Sequence, residues 1–199
     1  EDGAELDHYV QALITRATPG VTAGEPLPLA AMGGTWTCPV QLTRVAIPPE
    51  QLVGVVERGT WRIEDSARTA NAQPAVFGLA RACIGDLAAA GDQRGDAASQ
   101  RLAARLASEL DDVRARAYGL VDSVPAGESI DERLRLRAQG LELAVRSATA
   151  LVTVRAGRAI SLHDTAQRRL REAMFHLVQA QTAPSREATL EVLAREGGE

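Results

Sequence analysis

Between Val76 and Leu177 the apolar residues fall into stripes at helical spacing, and this limits the possible folds more than any other feature of the chain. Val76, Leu79, Ala80, Cys83, Ile84 and Leu87 recur at i, i+3, i+4, i+7, i+8 and i+11, which sets them on one face of a helix. Pro74 falls in the first turn of that helix, where a missing N–H costs nothing. GDQRG (91–95) is expected to break it. Leu102, Leu106, Leu110, Val113, Ala117 and Leu120 make a second stripe, and VPAGES (124–129) reads as a turn. Ser129-Ile130-Asp131-Glu132 fits a capping box for a third helix, striped by Leu134, Ala138, Leu141, Val145, Ala148 and Val152. After a loop around Gly157, Asp164 is a candidate N-cap for a fourth helix, which turns Leu170, Ala173, Met174 and Leu177 inward and closes on Gln-Ala-Gln-Thr (179–182). Thr182-Ala183-Pro184-Ser185 then starts a short last helix. Four amphipathic helices with short connections predict an antiparallel four-helix bundle.

Upstream of residue 66 the pattern is strand and turn. YVQALIT (9–15) is a short apolar run, TPGVTAGEPLP (18–28) carries turn chemistry, and TWTCPVQLTRVAI (35–47) is β-branched and partly alternating before Pro48-Pro49 stops it. These strands are too few to close a sheet. They predict a chain that is mainly α, with a few β-strands from the end of an incomplete β domain at 1–65 and a helical bundle at 66–199.

Aromatics are only 3% of the 199 residues, so the core is expected to be aliphatic. The net charge of −4 argues against a wholesale nucleic-acid binder. All 22 basic residues are arginine. Arginine holds phosphates and carboxylates bidentately, although codon usage alone would give the same bias. Cys38 and Cys83 do not make a disulfide framework, and neither matches His8, His163 or His176 at a metal-binding spacing; no metal is expected. No apolar run reaches the ~18 residues of a membrane span, and no signal peptide opens the chain. A cytoplasmic protein with no membrane or nucleic-acid partner is expected.

Two stretches resemble one family. TPGVTAGEPLPLAAMGGTWTCPVQLTRVAIPPEQLVG (18–54) is similar to the end of the central β domain of acyl-CoA dehydrogenases, through Pro19-Gly20-Val21, Met32-Gly33, Thr37 and the run Val45 to Gly54. GRAISLHDTAQRRLREAMFHLVQAQT (157–182) resembles the family's C-terminal flavin-contacting stretch, through Gly157, Arg171-Glu172-Ala173 and Ala180-Gln181-Thr182. The resemblance runs along the whole chain but covers only about half of the family's architecture. It implies a fragment, a cleaved product or one half of a split enzyme.

The family uses FAD to take two hydrogens from an acyl thioester: a carboxylate removes the α proton and the flavin takes the β hydride. The resemblance therefore implies FAD as cofactor, an acyl-CoA or acyl-carrier thioester as substrate, and a homo- or hetero-oligomer, dimer or tetramer. It assigns Thr182 to the flavin, Gly157 to a turn against the pyrophosphate or adenine side, and Arg68 to the pyrophosphate. The bland readings stand beside these: Thr182 ending a helix before Pro184, Gly157 as a helix C′ residue, Arg68 as a surface arginine. The family's usual glutamate position is Ala180 here. The position used by other members, counted back from Gly78, is Arg68, with Glu64 and Asp65 nearby. No catalytic base is assigned. Three readings compete with the dehydrogenase: a catalytically silent subunit of a heteromer, a flavin-dependent hydroxylase of the same fold, and a cofactor-free helical interaction module.

Overall fold

The computed structural model describes residues 7–194, which fall into two compact units divided between Asp65 and Ser66. The chain is mainly α, with a few short strands ahead of a helical bundle.

In the first unit, β1 (His8–Ala12) pairs antiparallel with β4 (Leu52–Glu57), with Val10 opposite Val55 and a register shift between Gln11 and Ala12. Separately, β2 (Val21–Ala23) pairs antiparallel with β3 (Val40–Leu42). The turn before β2 needs Gly20: its φ is +88°, and a Cβ there would lie 2.2 Å from the Thr43 carbonyl oxygen. No described residue from 7 to 65 is buried, and Val10, Val53, Val55, Val40 and Leu42 are all exposed.

Helix begins earlier than the sequence pattern suggests. Strand β4 gives way at Arg58 to α1 (Arg58–Thr69) rather than continuing to residue 65. Glu57 causes the switch. Its carboxylate accepts from the Gly59 and Thr60 amides (3.2 and 3.1 Å) and from the Thr60 hydroxyl (2.6 Å), satisfying donors that a helix start leaves orphaned. The Thr60 hydroxyl, chiefly, holds that carboxylate below the ordinary glutamate value. No α1 residue is buried, so the helix lacks the apolar stripe that would reveal it.

The second unit contains α2 (Pro74–Arg94), α3 (Ala97–Ser123), α4 (Ile130–Arg155), α5 (Thr165–Val178) and α6 (Ala183–Ala194), with a 3-10 turn at Ala156–Ile160. Pro74 sits at the first position of α2, and Asp96 and Asp164 cap α3 and α5 by accepting from the Ala98 and Ala166 amides at 3.0 and 2.9 Å. All six residues of the α2 stripe are buried. GDQR stays helical, and α2 ends only at Gly95. Ser129 precedes α4 but makes no capping bond, because its backbone is left-handed (φ 53°) and turns the hydroxyl away from the box geometry.

Helix α4 is the centre of the bundle and packs against α2, α3, α5 and α6. Its predicted stripe therefore captures only part of its buried surface: Leu134, Ala138, Leu141 and Ala148 are buried, Val145 and Val152 are half-buried, and Leu136, Leu143, Ala144 and Leu151 are buried as well. Phe77 of α2 stacks edge-on against Tyr118 of α3 at 5.8 Å and lies over Gly140 of α4, where a Cβ would come within 2.9 Å of the ring. Met174 is exposed rather than inward-facing, because Ala173 already fills the contact with the core. Residues 58–94 hold a window of mean hydropathy 1.2 that passes for a membrane span by length and composition, with 50% of it buried. The apolar side chains of α2 are the ones packed into this core.

Candidate functional site

The helices alternate in direction, so the C-termini of α3 and α5 meet the N-terminal turns of α4 and α6 at one end of the bundle. Two arginines, one helical turn apart on α4, hold that end together. Arg133 is 3% exposed. It donates from Nη2 to the Leu120 and Val124 carbonyls at the end of α3 (3.0 and 2.9 Å), from Nη1 to Asn71 Oδ1 (2.6 Å) and from Nε to the Glu128 carbonyl (2.8 Å). Arg137 is 4% exposed. It donates from Nη1 to the Thr69 carbonyl and from Nη2 to the carbonyls of Gln179 and Ala180, at 3.0 and 3.1 Å.

Every acceptor in both sets is neutral. Most of these acceptors are carbonyls at or just past helix C-termini, where the negative end of the helix dipole lies, and Leu120 takes the guanidinium in addition to the Val124 amide. These carbonyls take the place of a carboxylate, and the weakly hydrated guanidinium tolerates the exchange. Burial pushes Arg137 below the ordinary guanidinium value. The sequence hid this pair. In Arg133-Leu134-Arg135-Leu136-Arg137 the arginines alternate with leucines, and only their i, i+4 spacing beside the buried stripe marked them.

Helix α5 ends at Val178, so the amide-rich tail is a turn and not the end of a helix. Ala180 is left-handed at φ 49° and exposed, and it offers no carboxylate where the family resemblance looks for one. Gln181 Nε2 donates to the Leu177 carbonyl at 2.7 Å, while its Oε1 is buried with no partner among the described residues. Thr182 heads α6. Its hydroxyl lies 2.7 Å from Ser185 Oγ and accepts from the Ser185 amide at 3.3 Å.

At the other end of the bundle, Arg155 pairs with Asp164 at 2.6 Å. That bond, aided by the Ala166 amide, holds Asp164 below the ordinary aspartate value. Gly157 lies just beyond, exposed, and a Cβ there would meet nothing within 4 Å. It does not have the left-handed C′ conformation. Ala156 has the glycine-favouring geometry instead, at φ 52° and ψ −139°. Beside this turn a surface cavity of about 450 Å³ is lined by Asp86, Gln93, Arg155, Thr165, Arg168 and Arg169 among others. Arg169 pairs there with Asp86 at 2.7 Å.

Of the three residues singled out for flavin, Arg68 is exposed in the last turn of α1. Arg137 ties its neighbour Thr69 to the 179–182 turn. Gly157 is at the opposite end: from Arg137 to the end of α4 is roughly 27 Å at ~1.5 Å per residue. One chain therefore does not bring Gly157 and Thr182 together.

No protein-family model and no curated protein matches the sequence. Solved structures do match. The architecture is that of the C-terminal part of acyl-CoA dehydrogenases. An acyl-CoA dehydrogenase of Geobacillus kaustophilus superposes with a TM-score of 0.73 at 18% identity, over 92% of this chain and 51% of its own. A glutaryl-CoA dehydrogenase of Mycobacterium smegmatis, solved with FADH2, gives 0.73 at 17% identity, over 95% and 52%. A dibenzothiophene monooxygenase of a Paenibacillus species gives 0.69 at 16% identity, over 93% and 55%. At these identities the likeness is one of fold, and the chain spans about half the length of the structures it matches.

Proposed function

We propose that the chain is the C-terminal part of a FAD-dependent oxidoreductase of the acyl-CoA dehydrogenase type, acting on an acyl-CoA or acyl-carrier thioester in a cytoplasmic oligomer. The observation that carries this reading is the superposition, over 95% of the chain, on an enzyme solved with a reduced flavin. The polar groups present suit a flavin. Gly157 offers open backbone, and the Gln181 Oε1 acceptor is buried with no partner among the described residues. With Ser185 Oγ donating to the Thr182 carbonyl at 3.4 Å, the Thr182 hydroxyl is placed to donate to Ser185 and offers a ligand its remaining acceptor lone pair. Arg68 supplies a planar donor for a phosphate. Because Gly157 and Thr182 lie at opposite ends of one bundle, the two contacts come from different chains of the oligomer or reach opposite ends of an extended cofactor. The flavin, when bound, supplies hydride acceptance; the protein binds it and shields it from water.

Ala180 favours a second reading within the same fold. A chain with no carboxylate at that turn does not remove an α proton from it. The flavin then serves either oxygen chemistry, as the monooxygenase neighbour suggests, or an assembly in which another polypeptide holds the base. The test is to purify the native complex and record its spectrum, then compare acyl-CoA-dependent dye reduction with oxygen uptake from a reduced-flavin donor. Flavin absorbance with dye reduction supports the dehydrogenase, and flavin with oxygen uptake alone supports the second reading. A colourless complex that takes up no FAD refutes both.

A further inference from the structure

The 179–182 turn is unusually constrained for an exposed connection. Ala180 is held left-handed at φ 49°, a conformation that is strained for a residue with a Cβ. Most of its bonds are local: the Gln179 amide donates to the Phe175 carbonyl at 3.0 Å, Gln181 to the Leu177 carbonyl, and the Thr182 amide to Ser185 Oγ at 3.0 Å. None of these fixes where the turn sits on the bundle. The bonds that reach it from beyond its flanking helices α5 and α6 come from Arg137, which grips two successive carbonyls with one Nη and the end of α1 with the other.

A neutral donor could satisfy one of these carbonyls at lower desolvation cost. The guanidinium is needed because it spans two chain segments with rigid, planar geometry. Its Nε is left buried without a partner among the described residues. The adjoining enclosed cavity, lined by Ala72, Gln73, Val76, Phe77, Gly140 and Leu141, leaves no room for a water molecule. The side chain is therefore spent on the turn and on α1, not on a ligand of its own.

We propose that Arg137 is the positioning residue for the 179–182 turn, coupling it to the end of α1 so that Thr182 and Gln181 are presented to the flavin in one geometry. This rests on the reading of that turn as a flavin contact, but the two are separable by experiment. Arg137 touches no reacting atom. It acts through backbone carbonyls.

The experiment is native-state amide hydrogen exchange on the full chain, comparing wild type with R137K and R137Q, alongside FAD titration followed by the visible flavin band. In R137Q the Gln179 and Thr182 amides should exchange about ten- to a hundred-fold faster, the range set by losing charge-assisted hydrogen bonds. The amides of Leu106 and Leu143, deep in the bundle, should not change. R137K keeps the charge and one donor direction, so it should recover part of the protection and part of the FAD affinity. Unchanged exchange at the turn in both variants overturns the proposal. So does a rise shared equally by Leu106 and Leu143, which means general loosening of the bundle. A loosened turn that binds FAD as tightly as wild type breaks the link to the cofactor. If wild type takes up no FAD, the flavin reading fails while the exchange still decides the role of Arg137.

Discussion

The two units of this chain are built from similar apolar residues and treat them in opposite ways. From 66 onward Leu87, Leu106, Leu110, Leu136, Leu143 and Leu151 are fully buried. Before 66, no described residue is buried, and Tyr9, Val10, Trp36, Leu42 and Val53 are exposed. Secondary structure alone does not explain this, because both units have well-formed elements. Helices with apolar stripes can cover one another within a single bundle, whereas two separate two-stranded sheets leave both faces open and are marginal by themselves. Local pairing thus gives the first unit its strands without giving it a core. Burial near ~25 cal/mol per Å² of apolar surface is the term it lacks.

The largest expected effect tests that contrast directly. Leu106→Ala should destabilise the bundle by about 2–5 kcal/mol, as large-to-small changes in a packed core do. Val53→Ala, at a site 61% exposed, should stay within about 0.5 kcal/mol. Urea unfolding followed by circular dichroism decides this; equal losses would mean that the first unit has a core after all. Next, Gly140→Ala should cost about 1–3 kcal/mol, because the new methyl must displace the packed Phe77 ring. A smaller effect of opposite sign is expected at the far end of the bundle. Ala156→Gly should raise stability by about 0.5–1 kcal/mol, by relieving the backbone at φ 52°, and a higher melting temperature would confirm it.

The smallest effect appears only in acid. Asp96, bonded chiefly to Ser99, and Asp164, bonded chiefly to Arg155, both titrate below the ordinary aspartate value of 3.8 when folded. The stabilisation they give is therefore complete above that value and is lost as pH falls through their lowered folded values. Asp164→Asn should flatten the acid limb of the stability–pH curve below about pH 4 and leave its neutral plateau little changed in shape. A limb identical to wild type would show that Asp164 does not contribute to it.

How much of this was legible depended on whether a residue's role is written in its neighbours along the chain. The α2 stripe, Pro74 and the Asp164 cap were readable because each is a local pattern with one physical meaning. The second buried face of α4 was not, because a helix packed against four others buries more than one face, buried arginines included, and a single apolar stripe understates it. Helix α1 had no stripe to find, and its start depends on Glu57, a residue inside the preceding strand. The capping box at Ser129 had the right residues but the wrong backbone. At the candidate site the sequence pointed to Thr182 and Gly157. It could not show that a single chain separates them by much of the length of α4, nor that Arg137 governs the turn, since those depend on contacts between distant segments.

Cys83 is fully buried, and its surroundings push the thiol up to about 11, whereas Cys38 in the first unit is half-buried. A maleimide reacts with the thiolate, and at pH 8 only about one in a thousand Cys83 thiols is ionised. A brief pulse of reagent should therefore tag Cys38 first and reach Cys83 only when the bundle opens. The protein thus carries two natural timers, one in each unit, and mass spectrometry can read both from the same sample.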